Sequence, residues 1–551
     1  MRKLIIVLSV VFMGCQNKSE STAKEVIDIP FSWDAATVYF MLTDRFNNAD
    51  TSNDINFNRT DEAGVLRGFE GGDLKGVIEK VASGYFTDLG VNAIWMTPIV
   101  EQIHGGTDEG TGVSYGFHGY WTKDWTNLDP NFGTKADLKK LVEVAHSKGI
   151  RIVLDAVINH TGPVTEKDPV WPDDWVRTGP ACDYKNYGHT VHCTLVENLP
   201  DIKTESNELV ELPIQLVEKW KAEGRYEQEI TELDAFFKRT KYPRAPRFYI
   251  MKWLSDYITE FGIDGYRVDT VKHTEPYVWQ EFREVVNAAF TEFKSNNPEK
   301  VLDDNDFYLV GEVYNYAISH EKAFDFGDKK VNYFDKAFNQ LINFEFKWNA
   351  QQLDLESMFS KYDSILHGNL KGYSVLNYLS SHDDGQPFDP MRKKPYETAT
   401  KLLLSQGASQ IYYGDESARI LHVEGAVGDA NLRSFMNWEA INTNTETQLV
   451  LKHWQKLGQF RVKHPAIGAG RHQMISKLPY VFSRSYNKNN FKDVVVVGLN
   501  LDKGLKSVSV SEVFKEGTKI RDAYSGVESI VKNGQVEIDS GFDILLLEES
   551  Y

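Results

Sequence analysis

Four carboxylates stand where short apolar runs stop. Asp155 closes Arg151-Ile-Val-Leu154, Asp269 closes Gly265-Tyr-Arg-Val268, Glu312 follows Tyr308-Leu-Val-Gly311, and Asp383 follows Tyr378-Leu-Ser-Ser-His382. Singly, each reads as readily as a helix cap or a loop carboxylate; as a set they point to an acid cluster at the ends of parallel strands. Arg267 and Asp269 lie two apart on a strand, so their side chains leave the same face. A guanidinium beside a carboxylate favours its ionised form, which suits a nucleophile. Glu312 has no basic residue within several positions and is flanked by Val310, Gly311, Val313 and Tyr314. Such surroundings raise a carboxyl pKa and keep the proton that a general acid must give. Two carboxyl groups tuned in opposite directions are the equipment of glycoside hydrolysis. A buried Arg267/Asp269 ion pair that only braces the fold is the plainer alternative.

Strand and helix periods alternate through most of the chain, the pattern of a parallel α/β architecture. Strands are expected at Gly90–Trp95, Ile150–Ile158, Ile263–Val268, Phe307–Val310, Tyr373–Leu379 and Gln410–Tyr413. Between Thr134 and Lys148, the positions Leu138, Leu141, Val142 and Ala145 make an i, i+3, i+4, i+7 stripe, with Thr134 as N-cap and Gly149 as the stop. Ile250, Trp253, Leu254, Tyr257, Ile258 and Phe261 form a second stripe ending at Gly262. Trp279, Phe282, Val286, Ala289 and Phe293 form a third. The period breaks between Ile158 and about Pro246, a stretch rich in Pro, Asp, Lys and Tyr that reads as an inserted subdomain. From about Ala466 the pattern turns to short alternating strands such as Tyr480–Tyr486 and Asp493–Gly498, the mark of a small antiparallel β domain.

The chain has 551 residues, 41% apolar and 13% aromatic, with 61 basic and 79 acidic side chains for a net charge of −18. That composition excludes disorder and argues against nucleic acid as a partner, since each phosphate contact needs a cation. Arg2 and Lys3 precede an apolar run, Leu4–Met13, too short to span a bilayer, which reads as a signal peptide. Its end, Phe12-Met13-Gly14-Cys15, resembles a bacterial lipobox, with Phe12 where Leu is usual. Cys15 is therefore the expected lipidation site, and an ordinary cleaved signal is the other reading. In an exported chain Cys182 and Cys193 most simply pair with each other, two free buried thiols being the alternative.

The motifs Asp155-Ala-Val-Ile-Asn159-His160, Gly265-Tyr-Arg267-Val-Asp269-Thr-Val-Lys272-His273, Gly311-Glu312-Val313 and Ser381-His382-Asp383 run in that order. Gly90–Pro98, His118-Gly-Tyr120-Trp121, Leu199-Pro-Asp201-Ile202 and Tyr412-Tyr-Gly-Asp-Glu416 accompany them. Together, over roughly residues 33–465, they resemble the α-amylase family of retaining glycoside hydrolases, glycoside hydrolase family 13. Leu199–Ser206, Tyr378–Asp383 and His464–Gly470 look like the periplasmic branch from Gram-negative bacteria. Ser381 stands where most of the family has Asn, a departure this branch shares.

The resemblance implies a (β/α)8 TIM barrel with an inserted subdomain after strand 3 and a C-terminal antiparallel β domain. The divisions expected are a signal peptide with lipobox at 1–15, a linker at 16–32, barrel at 33–160, subdomain B at 161–246, barrel again at 247–465 and the β domain at 466–551. It implies Asp269 as nucleophile, Glu312 as acid and base, and Asp383 as stabiliser of an oxocarbenium-like transition state. Tyr120, His160, Arg267 and His382 would line the central glucose subsite, with Lys272 on the leaving-group side. The Lys272-His273 pair favours α-1,4-linked glucans of the starch type, with transglycosylation or α-1,6 activity as alternatives within the family.

A structural Ca²⁺ is implied at Asn159, Asp201 and the backbone oxygen of His273, hard oxygens drawn from separate segments. A second Ca²⁺ is suggested by Asn48, Asp50, Asn53, Asp54 and Asp73, which resemble a stretch in related amylolytic transferases; without that likeness an Asn/Asp-rich loop reads as a solvated turn. The expected setting is export, as a periplasmic or outer-membrane lipoprotein touching membrane only through its lipid. Two rivals come from other classes. One is a metallohydrolase using His118, His160, His382, Asp383 and Asp384. The other is a non-catalytic glycan binder stacking sugars on Trp121, Trp125, Trp171 and Trp175.

Overall fold

Eight parallel strands close into a barrel in chain order: β1 (Thr37–Met41), β2 (Ala93–Met96), β3 (Arg151–Ala156), β4 (Gly265–Val268), β5 (Tyr308–Gly311), β6 (Gln340–Asn343), β7 (Ser374–Asn377) and β8 (Ala408–Tyr412), with β8 returning to β1. Every residue of these strands is buried, because side chains fill the barrel on one face and helices cover the other. That is why they read as continuous apolar runs. In this computed structural model the described residues are 29–60, 62–108 and 110–550. Met1–Pro30 and Phe31–Tyr551 separate into two units, and the barrel, the insert and the β domain all belong to the second. The apolar run from Leu4, the lipobox and Cys15 lie outside the described residues.

Helix α1 (Leu74–Ala82) is capped by the Asp73 carboxylate, and α2 (Lys135–Ser147) by a reciprocal box in which Thr134 and Asp137 bond each other's backbone N–H. Leu138, Leu141, Val142 and Ala145 are the buried face of α2. The insert after β3 holds a period that sequence did not expose, α3 (Ile214–Ala222) and α4 (Tyr226–Thr240). Their stripes are thin: only Leu216 and Trp220 on α3, and Glu229, Leu233, Phe236 and Phe237 on α4, are buried. Helix α5 (Pro246–Phe261) starts on a proline and stops at Gly262, which takes the left-handed conformation that a C-cap needs. Helix α6 (Pro276–Asn296) follows β4, the short α7 (Phe346–Gln352) follows β6, and α8 (Thr445–Lys463) leads out of the barrel.

A tryptophan seam joins the insert to the barrel. Trp171 packs on Trp125 with ring centroids 5.7 Å apart, and Trp175 lies 6.4 Å from Trp253 of α5. Trp121, Trp125, Trp171 and Trp175 are all buried. Trp125, Trp171 and Trp175 are core, so the stacking-platform role does not fall to them, whereas Trp121 also lines a cleft with His160 and Asp269. Cys182 and Cys193 form a disulfide within the insert. The C-terminal region carries β9 (Arg471–Ser476), β10 (Tyr480–Lys488), β11 (Phe491–Leu499), β12 (Gly504–Ser509), β13 (Lys519–Asp522), β14 (Glu528–Ile530), β15 (Gln535–Ser540) and β16 (Ile544–Glu549). Six of them make an antiparallel sheet in the order β9-β10-β11-β16-β13-β14, and β12 pairs with β15. At the junction His464 is held between Asp493 and Glu548, each at 2.7 Å.

Candidate active site

The site is organised by one buried guanidinium. Arg267 on β4 is in register with Asp155 on β3, and its Nη1 donates to both Asp155 oxygens at 3.0 and 3.1 Å and to Asp269 Oδ1 at 2.7 Å. Its Nη2 lies 2.9 Å from Glu312 Oε1. No basic residue stands near Glu312 in the chain, and its cation comes instead from the adjacent strand, which local sequence does not display. Burial still dominates, and it pushes the Glu312 carboxyl well above its ordinary range against the pull of Arg267, with Asp269 and Asp383 pushing the same way as burial. Asp155 is likewise raised by burial, to about 7, and is further tied by Tyr120 Oη at 2.8 Å and Trp95 Nε1 at 3.1 Å.

Backbone geometry ties Asp269 and Glu312 together. Asp269 N–H donates to Ala156 O at 3.0 Å and Glu312 N–H to Val268 O at 2.9 Å, continuing the barrel ladder one step past the strands. Thr270, directly after Asp269, sits at φ 49°, a left-handed conformation that is costly for a β-branched residue. That turn aims its N–H at Glu312 Oε2, 2.9 Å away.

Asp269, Glu312 and Asp383 line one cleft of about 630 Å³, together with Tyr120, His160, Lys272 and His382. Arg267 lies beneath it. The Tyr120 and His382 rings stack at 5.2 Å, and His382 and His160 are both pushed toward the neutral form by burial. Lys272 donates to Tyr314 O at 3.3 Å and faces the rings of Tyr184 and Tyr314. Burial lowers its pKa, with Glu312 opposing. The cleft also takes Arg67, Tyr184, Tyr314, Asp429 and Arg433, which sequence reading did not single out. Tyr314, two residues past Glu312, had a positional signal; Arg67 and Asp429, paired at 3.0 Å across 362 residues, had none.

Among the described residues no group of three or more His, Cys, Asp or Glu is placed to hold a metal, which removes the metallohydrolase reading its ligand set. The oxygen-rich sites differ in kind. Asn159 and Asp201 adjoin, Ile202 N–H donating to Asn159 O at 2.7 Å, and Asp201 Oδ1 is buried with no hydrogen-bond partner. Its other oxygen meets Arg177 Nε at 3.0 Å. Burial raises the Asp201 carboxyl well above its usual range. The next residue to His273, Thr274, reaches Asn159 Oδ1 at 3.4 Å, while the His273 ring faces Thr190 O at 2.9 Å. In the N-terminal loop Asn48 Nδ2 donates to Asp54 at 2.9 Å, Asp73 accepts from Ala49, Asp50 and Gly76 N–H groups, and Asp50 pairs with Lys75 at 2.5 Å. Asn48 Oδ1 and Asn53 Oδ1 are buried there without partners.

Barrel, strand-end acids and insert together define a glycoside-hydrolase type of catalytic domain. Residues 40–437 match the family described as alpha amylase, catalytic domain, and the chain belongs to that family. It is 35% identical over 514 residues to the periplasmic alpha-amylase of Escherichia coli (strain K12), covering 83% of this chain and 71% of that protein. A cyclomaltodextrin glucanotransferase of Thermoanaerobacterium thermosulfurigenes is 26% identical over 90% of this chain, which spans 64% of that longer protein. The alpha-amylase of Geobacillus thermoleovorans, solved with acarbose, superposes with a TM-score of 0.65 at 22% identity, covering 95% of this chain and 100% of that one; it shares the fold.

Proposed function

We propose that the protein is an α-amylase, a retaining glycoside hydrolase that cleaves internal α-1,4 bonds of starch, glycogen or maltooligosaccharides. The observation that carries this reading is the pair Asp269 and Glu312, bonded to two nitrogens of one guanidinium at the wall of a single cleft. Asp269 attacks the anomeric carbon as the bond to the leaving oxygen breaks, and Glu312 delivers its proton to that oxygen. Glu312, now ionised, takes a proton from water, which attacks the same carbon and frees Asp269. Asp383 holds the sugar ring and offsets the positive charge of the transition state. Tyr120, His160, Arg267 and His382 position the central glucose, and Lys272 stands on the leaving-group side.

Asn159, Asp201 and the His273 carbonyl fit a structural Ca²⁺, supported by the unpartnered buried oxygen of Asp201. The ion would tie the insert to the β4 turn. Asn48, Asp50, Asn53, Asp54 and Asp73 fit a second, supported by the unpartnered oxygens of Asn48 and Asn53. The likeness to a periplasmic enzyme supports export, with Cys15 as lipid anchor. The test is a time course of products from maltoheptaose, amylose and pullulan with anomers followed by NMR. Early α-anomers from the α-1,4 substrates are expected. An initial β-anomer removes Asp269 as nucleophile, and cleavage confined to pullulan removes the α-1,4 assignment.

A further inference from the structure

Asp383 is the least restrained of the three acids. Its Oδ1 has Ser381 Oγ at 3.3 Å and His382 Nδ1 at 3.7 Å, and its side chain is 32% exposed. Asp269 and Glu312, by contrast, are pinned by Arg267. The position of Asp383 must therefore come from the backbone of 380–386, a stretch outside any helix or strand. Ser380 Oγ donates to Asp415 at 2.5 Å and Arg433 Nε to His382 O at 2.9 Å, which fixes the near side. The far side hangs on the next residue, Asp384. Its buried carboxylate takes both oxygens' bonds from the Lys347 ammonium on α7, one of them at 2.5 Å, with Tyr378 Oη at 2.7 Å and Gln386 N–H at 3.1 Å. The Lys347 side chain is itself buried.

From this geometry we infer that Lys347 and Asp384 form a buried strut between α7 and the loop after β7 that sets the position and the electrostatic surroundings of Asp383, so that Lys347 is a positioning residue for hydrolysis. The inference rests on the proposed role of Asp383 in the transition state. An ammonium and a carboxylate so buried tolerate each other only as a pair; with the ammonium gone, the carboxylate must take a proton or turn toward the cleft. Turning moves Asp383 and faces it with a second anion. The groups that already bear on Asp383 are Arg267 and Arg433, which favour its charge, and Asp384, which opposes it. Burial is the largest influence and raises its pKa. From the other side, Asp383 bears on Glu312, Tyr314 and Tyr378 and raises their pKa values.

The test is maltoheptaose hydrolysis by the full chain, with kcat and KM followed across pH for Lys347→Met, Lys347→Arg, Lys347→Met with Asp384→Asn, and Asp383→Asn. Lys347→Met should lower kcat by about 10²-fold, the cost of a misplacement of about 1 Å, with KM changed far less. Its acid limb should move to higher pH, because Asp383 must be ionised to act. Lys347→Arg should keep most of the activity, and adding Asp384→Asn to Lys347→Met should return the acid limb toward that of the unaltered enzyme. If Lys347→Met does not fold, the arginine variant and the double variant carry the same comparison. A Lys347→Met enzyme that melts lower but keeps its kcat and acid limb overturns the inference and leaves the strut as a brace alone. Asp383→Asn separates the two levels: full activity there removes the role of Asp383 itself, while an inactive Asp383→Asn beside an unaffected Lys347→Met removes only the strut.

Discussion

Arg267 and Asp155 stand opposite each other on adjacent barrel strands, and the guanidinium that answers Asp155 also binds Asp269 and Glu312. One buried cation thus serves three carboxylates. Burial favours the protonated form of Glu312 despite that cation.

Replacing Glu312 by Gln keeps the shape and removes the transferable proton. Hydrolysis of maltoheptaose should fall by about 10²–10⁴-fold, while calorimetry still detects oligosaccharide binding. Because the acid must hold its proton, the rate should decline as pH rises through a Glu312 pKa well above the ordinary glutamate value. Unchanged turnover in Glu312→Gln would withdraw the acid role.

Arg267→Met should act on stability and rate together. Removing one partner of a buried ionic cluster costs about 3–5 kcal/mol, read as a lower urea midpoint at neutral pH. The rate should also fall, since Asp269 and Glu312 lose the group that spaces them. A variant that loses activity with an unaltered urea midpoint would show that the cluster is held some other way.

Chelation should destabilise the enzyme through Asp201. A ligand present at about 100 times its dissociation constant adds about 2.7 kcal/mol, so EDTA should lower the melting temperature and Ca²⁺ should restore it. Asp201→Asn should melt lower from the start and respond weakly to either. An EDTA response as large in Asp201→Asn as in the unaltered protein would place the ion elsewhere.

His464 should make the join between barrel and β domain sensitive to pH. Burial opposes its charge, but the hydrogen bonds its ring donates to Asp493 and Glu548 outweigh that and raise its pKa. A raised folded pKa gives stability that is complete below the unfolded value near 6.5 and is lost as pH rises through the folded one. The melting-temperature gap between the unaltered protein and His464→Gln should therefore be widest in mild acid and narrow as the solution becomes alkaline. A gap constant with pH would mean the ring is held neutral.

Much of the barrel could be read from residue order because its strands are buried on both faces and stop at acids. Ile150–Ile158 and Ile263–Val268 were expected and appear as Arg151–Ala156 and Gly265–Val268. Thr37–Met41 and Gln340–Asn343 went unread: they are only five and four residues long. In α3 and α4 few apolar residues face inward, so their period was hidden by a polar surface. Asp155, Asp269 and Glu312 were legible because each stands at or just past the end of its own strand, while Asp383 lies in the loop beyond Asn377 of β7. Their mutual spacing was not, since it depends on lateral contacts between strands. Lys347 and Asp384 illustrate the limit, being 37 residues apart and joined only when β6 and β7 lie side by side.

The tryptophan seam changes what failure of the cleft wall should look like. Trp125, Trp171, Trp175 and Trp253 bolt the insert to the barrel flank without help from the Cys182–Cys193 link or any ion. Reducing agents should then loosen the lip that bears Tyr184 well before the wall itself comes away.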